Sequence, residues 1–184
     1  NGYAGAFGGA ANGQGVGGAI FVLDAALNLA GNTFTGNTAS TAQPNIVAST
    51  LVTTTNDSGA GSLRQAVQIA NLSSTASLIT FTNTLSGQRI LLTSGQIGLS
   101  NNMTIDASAL ASPVKLDGNN ASRILFVKSG VNVTLNKLLL TNAMAGTGLS
   151  ARGGGIYNFG TLTLNQCEFW KNTAQLGGGL FNEQ

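Results

Sequence analysis

Histidine is absent from this chain, cysteine occurs once and proline twice, in 184 residues. Without histidine there is no His-containing triad, no imidazole general base and no histidine metal ligand. The single cysteine, Cys167, cannot close an internal disulfide and leaves the redox compartment undecided. Charge is also scarce: eight basic and six acidic residues give a net charge of +2. No two Lys or Arg residues are adjacent, and such a small, scattered positive charge does not argue for nucleic acid, so no nucleic-acid partner is expected. No stretch approaches the roughly 18 apolar residues of a membrane-spanning helix. No signal peptide is visible at Asn1 and the chain does not begin with Met, so it is expected to be a processed or excerpted piece.

What remains is 42% hydrophobic with 26 glycines, much of the rest being Asn, Ser and Thr. A disordered chain would carry more charge and fewer aliphatic residues. A collagen would place Gly at every third position, and this chain does not. Val, Ile, Leu and Thr punctuated by Gly and Asn are the residues of strands and turns.

The strongest pattern is internal repetition. Gly18-Ala19-Ile20-Phe21 parallels Gly154-Gly155-Ile156-Tyr157 and Gly178-Gly179-Leu180-Phe181. Leu27-Asn28-Leu29 and Asn32 to Ala39 follow the first; Leu162-Thr163-Leu164 and Cys167 to Ala174 follow the second, with a one-residue gap between the blocks. Val133 to Asn142 is a weaker copy. The interval from Ile156 to Leu180 sets the repeat period, which falls in the range of solenoid repeats. Within it Leu162, Leu164, Cys167 and Phe169 alternate with period two, broken by a two-residue corner. Short strands with tight corners describe one coil of a β-solenoid, each coil stacking on the next at about 4.8 Å. A uniform coil of that period gives about seven or eight coils in a rod about 35–40 Å long. One coil cannot bury its own apolar face, whereas several share a continuous core. Ile156 over Leu180, Tyr157 over Phe181 and Asn158 over Asn182 are the expected ladders, the Asn pair bonding through its amides at a corner.

The middle differs. Thr53 to Gly59 is a turn cluster, followed by Leu63, Ala66, Val67 and Ala70 at helical spacing. Ser62 is the expected N-cap and Asn71 the expected stop. Strands are expected at Leu78–Phe81, Arg89–Leu92, Met103–Asp106, Val114–Asp117, Ile124–Val127 and Val131–Leu140. A short amphipathic helix before a run of strands suits a cap over a solenoid core; a helix in a loop is the competing reading.

Thr54 to Val67 resembles the opening motif of large bacterial β-helix surface proteins, pectate-lyase-like in fold and related to polymorphic outer-membrane proteins and adhesins. Ile79-Thr80-Phe81, Asn102 to Asp106 and the Gly-Gly-Gly-Ile-Tyr-Asn block at 153–158 resemble its later coils. The resemblance covers about residues 50–184 and implies extracellular display. The expected fold is therefore all-β, a right-handed parallel β-helix (solenoid) with one short capping helix near 62–71. Its expected segments are 1–48, terminal-type coils and a Gly-rich stretch; 49–72, turn and capping helix; and 73–184, coils continuing past the end of the chain.

The expected role is non-enzymatic: a structural or adhesive segment of a large secreted or cell-surface protein, as a repeating unit of a fibre or filament. One spacing points to end-to-end self-association or tandem continuation, with an accidental match as the competing reading. The interval from Leu180 through Gln184 to Ile20 of a following copy equals that from Ile156 to Leu180. The alternative is a carbohydrate-binding or polysaccharide-cleaving module with a glycan or cell-surface ligand. Polysaccharide lyases of this fold use clustered Asp for Ca²⁺ and an Arg base. Arg89, Arg123 and Arg152 are the candidate bases here, but no acidic cluster accompanies them, and no cofactor or metal is expected. Glycosidases need two carboxylates facing one cleft; Asp106 and Asp117 are the candidate pair, read more simply as turn residues. Tyr157, Trp170 and Phe181 are the candidate aromatic contact surface, with ladder packing as the plainer account. Gly13 to Gly18 matches G-x-G-x-x-G but precedes a strand-like segment, which argues against dinucleotide binding. Cys167 takes an inward column position, which favours a buried thiol over a nucleophile. Five Asn-x-Ser/Thr sequons begin at Asn56, Asn71, Asn102, Asn120 and Asn132.

Overall fold

The computed structural model describes residues 20–21, 46–47, 50–148 and 151–183. The repeats at 27–39, the Gly13–Gly18 run and most of the 1–48 segment lie outside them. A short pair comes first, β1 (Ile20–Phe21) with β2 (Ile46–Val47), then β3 (Leu51–Val52) and helix α1 (Leu63–Leu72). Twelve strands follow: β4 (Ser77–Phe81), β5 (Arg89–Leu91), β6 (Ile97–Leu99), β7 (Met103–Asp106), β8 (Val114–Asp117), β9 (Leu125–Val127), β10 (Asn132–Asn136), β11 (Leu138–Thr141), β12 (Ile156–Asn158), β13 (Thr161–Asn165), β14 (Glu168–Trp170) and β15 (Leu180–Asn182).

All pairing among the described strands is parallel. The orders are β13-β10-β7-β4-β3, β14-β11-β8-β5 and β15-β12-β9-β6, so from β4 onward every third strand joins the same sheet. The predicted pairing of Ile156 with Leu180, Tyr157 with Phe181 and Asn158 with Asn182 is the observed register. The uniform period is not observed. Val114 and Leu138 keep the spacing of Ile156 and Leu180, but Met103 and Val133 are further apart, and Leu125 and Ile156 further still. The spacing between register partners varies because the connections between strands vary in length. No helix among the described residues is long and apolar enough to cross a membrane.

Alternation explains the interior. Ile79, Ile105 and Leu135 in one sheet, Ile90, Leu116 and Leu140 in the second, and Leu99, Leu125 and Ile156 in the third are at most 1% exposed. They belong to one apolar cluster. The predicted strand at Val131–Leu140 is two strands, broken at Lys137, whose φ of 54° turns the chain through a left-handed corner. Gln166 repeats that corner with φ 53°. Asn136 and Asn165 lie beside these corners, and Asn165 Nδ2 donates to Asn136 Oδ1 at 2.8 Å. Strand Ile97–Leu99 was not expected, since Ile-Gly-Leu is too short to show alternation. The repeated glycine runs have a steric cause. A Cβ on Gly154 or Gly155 would strike the carbonyl oxygens of Gly178 and Gly179 stacked against them.

Helix α1 starts as expected: Ser62 Oγ accepts from the Gln65 N–H at 3.2 Å. It runs past Asn71 to Leu72 and is capped by Ser73. Leu63, Ala66, Val67 and Ala70 are buried, and the helix packs on β3, β4 and β6. A helix cannot extend a strand ladder, so side chains fasten it. Arg64 donates to the carbonyls of Gly95 (2.7 Å) and Gln96 (3.0 Å). Asn71 donates to the Gly98 carbonyl (2.9 Å) and accepts from the Ser100 N–H (2.8 Å). Asn101 donates back to the carbonyls of Ala70 and Ser73.

Candidate functional site

Strand alternation that sends Leu125, Ile156 and Leu180 to one face sends Phe126, Tyr157 and Phe181 to the other. Register then stacks them in one column behind Gly98. Tyr157 meets Phe126 edge-on at 5.9 Å between ring centroids and Phe181 edge-on at 5.6 Å. Phe159, just past the end of β12, joins at 4.4 Å from Tyr157 and 5.6 Å from Phe126. Arg123 lies over the Tyr157 ring at 5.0 Å and Arg152 over Phe181 at 5.1 Å, in cation–π geometry. All of these side chains are half-buried.

The polar rim is internally paired. Arg152 Nη1 bridges both oxygens of Glu183, at 2.9 and 3.0 Å. The Tyr157 hydroxyl donates to the same carboxylate. That hydrogen bond, with some burial, raises the tyrosine above its ordinary value, and it is the main reason that Glu183 is lowered. Arg123 donates to the carbonyls of Arg152 and Gly153 and to Gln96 Oε1, so one guanidinium ties three successive connections together. Arg152 Nε is buried with no hydrogen-bond partner. A shallow depression of about 300 Å³ lies beside Arg123, lined also by Gln96, Ser122 and Met144.

The expected Asn ladder is present: Asn158 Nδ2 donates to Asn182 Oδ1 at 2.5 Å and to the Gly160 carbonyl at 2.9 Å. Trp170 is not part of the aromatic column. It lies on β14 in another sheet, 61% exposed, with Lys171 Nζ 5.4 Å from its ring centroid. The expected surface of Tyr157, Trp170 and Phe181 therefore divides, because β14 and β12 belong to different sheets. Phe126 and the Arg123 and Arg152 covers were missed, because their ring partners lie on other strands far along the chain and only the register reveals them.

Asp106 and Asp117 end strands of different sheets and each binds its own turn. Asp106 accepts from the Ser108 N–H at 2.9 Å, and Asp117 accepts from the Asn119 N–H at 2.8 Å. Asp117, 2% exposed, also holds Arg89 at 3.3 Å and Asn142 at 3.0 Å. Burial would raise Asp106, but the Ser108 and Asn136 donors outweigh it and the net shift is downward. Among the described residues no group of three or more Cys, Asp or Glu is placed to hold a metal. Cys167 is half-buried against the core, and burial pushes its thiol upward. Of the sequon asparagines, Asn56, Asn120 and Asn132 are exposed, whereas Asn71 is engaged at both ends of its amide.

A further constellation was not singled out by sequence. Asp57, its side chain 6% exposed, receives Arg64 on Oδ1 at 2.7 Å. On Oδ2 it receives Thr93 N–H (3.0 Å), Thr93 Oγ1 (3.1 Å) and Ser94 N–H (2.7 Å). Burial pulls this carboxyl upward, and the Ser94, Arg64 and Thr93 donors overcome it, leaving the group below its ordinary value of 3.8. The turn motif therefore serves as a clamp between α1 and the connection before β6. Gly61 belongs to it: with φ +73° it lies against Thr53, where a Cβ would collide with the hydroxyl. Compared with known proteins, the chain matches no family model, no curated protein and no solved structure.

Proposed function

We propose that the three parallel sheets are the walls of one right-handed parallel β-helix, and that this chain is a non-enzymatic structural or adhesive segment of a secreted or cell-surface protein. The observation that carries the reading is the rotation of strands: four successive sets of three return to the same three sheets in parallel register. Right-handed crossovers are the near-universal solution for parallel strands in one sheet. On this reading α1 is the cap, and the outward positions form ladders of like residues. The carboxylates support a structural role, since Asp57, Asp106, Asp117 and Glu183 are each engaged by turn N–H groups or by arginine.

A second reading rests on the Phe126–Tyr157–Phe181 column with its arginines, an aromatic and hydrogen-bonding surface suited to sugar rings. Binding or cleavage of polysaccharide would make this chain a carbohydrate module. Two experiments separate the possibilities. In a Cys167→Ser background, Thr134→Cys with Thr163→Cys should form a disulfide on oxidation, because the two residues are register partners. Failure to bridge removes the β-helix. Incubation with a panel of polysaccharides should release no product; turnover abolished by Tyr157→Ala would remove the structural reading and favour the second.

A further inference from the structure

The chain's arginines are Arg64, Arg89, Arg123 and Arg152. All but one hold a carboxylate: Arg64 pairs with Asp57, Arg89 with Asp117 and Arg152 with Glu183. Arg123 has no carboxylate against it among the described residues. Its acceptors are the carbonyls of Arg152 and Gly153 and the amide oxygen of Gln96. It is half-buried, and burial pulls it below its ordinary value. A cation drawn out of water without a counter-charge is costly, and an anion that reaches it offsets that cost.

The guanidinium also has donors to spare, since arginine carries about five N–H groups on a planar fork. The Arg152 carbonyl takes the Nε–H at 3.2 Å and one Nη2–H at 2.7 Å, and Gln96 Oε1 takes one Nη1–H at 2.6 Å. One N–H on each terminal nitrogen is left without an acceptor among the described residues. Arg123 lines the depression of about 300 Å³, a volume at the small end of ligand sites. It is the only charged residue of that lining, so a single positive charge faces the space and suits a monoanion. Ala121, Met144 and Ala145 give an apolar wall. Ser122 Oγ donates to the Arg123 carbonyl at 2.9 Å, so toward a ligand it acts as an acceptor. Gln96 uses its amide oxygen on Arg123, which leaves its amide N–H groups to donate. Donors from Arg123 and Gln96 thus stand beside an acceptor on Ser122.

We propose that this depression binds a small hydroxy acid. Its carboxylate accepts from Arg123 and the Gln96 amide, its hydroxyl donates to Ser122 Oγ, and its carbon body lies against Met144. A planar two-oxygen anion matches the guanidinium fork. The proposal goes beyond the structural reading above and does not depend on how the sheets close, so its failure leaves the Thr134–Thr163 disulfide test untouched. The test is NMR titration of the isotope-labelled full chain with lactate at constant ionic strength. The Arg123 Nε–H and the Ser122 and Met144 amides should shift saturably. Lactamide, which lacks the charge, should leave them in place, and propionate, which lacks the hydroxyl, should bind more weakly. Gln96→Glu sets a carboxylate of the protein itself against Arg123 and should weaken lactate at least about tenfold, with the spectrum away from the depression unchanged. Arg123→Lys keeps the charge without the fork and should weaken it by about as much. That variant also loses the ties to the Arg152 and Gly153 carbonyls, so if it unfolds, Gln96→Glu decides. Absence of a saturable shift overturns the proposal, as does lactate binding that Gln96→Glu leaves unchanged, or lactamide or propionate binding as tightly as lactate.

Discussion

Two regions of one apolar cluster are covered in different ways. Beside β3, β4 and β6, helix α1 packs on it: Leu63, Ala66, Val67 and Ala70 are at most 2% exposed. At β13 to β15 the same kinds of residue in the same columns stand half-open, with Leu180 36% exposed. Burial in a stacked-strand protein is therefore a property of the next layer and not of the residue. The contrast extends to the backbone. Where α1 replaces a strand, the carbonyls of Gly95, Gln96 and Gly98 find donors on Arg64 and Asn71. A helix packed on strands has to bring polar side chains with it, because its own amides are already spent along its axis.

Removing the clamp should break the closed end most severely. Asp57→Ala leaves Arg64 without its carboxylate and the Thr93 and Ser94 amides without an acceptor. Loss of about 3–5 kcal/mol is expected in urea unfolding, the range for breaking a buried pair. A core comparison comes next: Leu135→Ala should cost about 2–5 kcal/mol, whereas Leu164→Ala, one layer on in the same column, should cost less than half as much in the monomer. Equal costs would show that the last layer is already covered. Ser62→Ala should cost about 1 kcal/mol by loss of the helix cap. The smallest effect is expected at the open end, where Glu183→Gln weakens a partly exposed pair with Arg152 and should change stability by less than about 1 kcal/mol.

Acid sharpens the same contrast. Asp57 is held below its ordinary value in the fold, so its contribution is complete above about pH 4, where the unfolded carboxyl is also ionised. It is lost as pH falls through the lower folded value. Unfolding free energy measured from pH 6 downward should decline as pH falls below the ordinary carboxyl value in the wild type, and less steeply in Asp57→Asn.

Much of this was legible beforehand. Ser62 followed by Leu63, Ala66, Val67 and Ala70 announced α1, and alternation in Met103–Asp106 and Val114–Asp117 announced strands with the observed bounds. The pairing of Ile156 with Leu180 was readable because both follow glycine runs. Other features leave no local trace. Lys137 adopts a left-handed corner with a side chain that ordinarily avoids it, so nothing in Val131–Leu140 marked the break, whereas the corner at Gln166 was read from the shift in phase between Leu164 and Cys167. The aromatic column depends on register across connections of unequal length, and Asp57 reads as an ordinary turn residue until Arg64, Thr93 and Ser94 are brought around it.

Those unequal connections fall at two of the three junctions between sheets. Between the β15-β12-β9-β6 sheet and the β13-β10-β7-β4-β3 sheet the links are residues 100–102, 128–131 and 159–160. Between the β14-β11-β8-β5 sheet and the β15-β12-β9-β6 sheet they are 92–96, 118–124, 142–155 and 171–179. From the β13-β10-β7-β4-β3 sheet to the β14-β11-β8-β5 sheet they are 82–88, 107–113, 137 and 166–167, so length changes are absorbed along two seams while the first stays tight, and the longest links fall between the β14-β11-β8-β5 and β15-β12-β9-β6 sheets. A chain of this kind can alter its outline by insertion, and can be engineered to display foreign peptides, along that seam without shifting any residue out of its column.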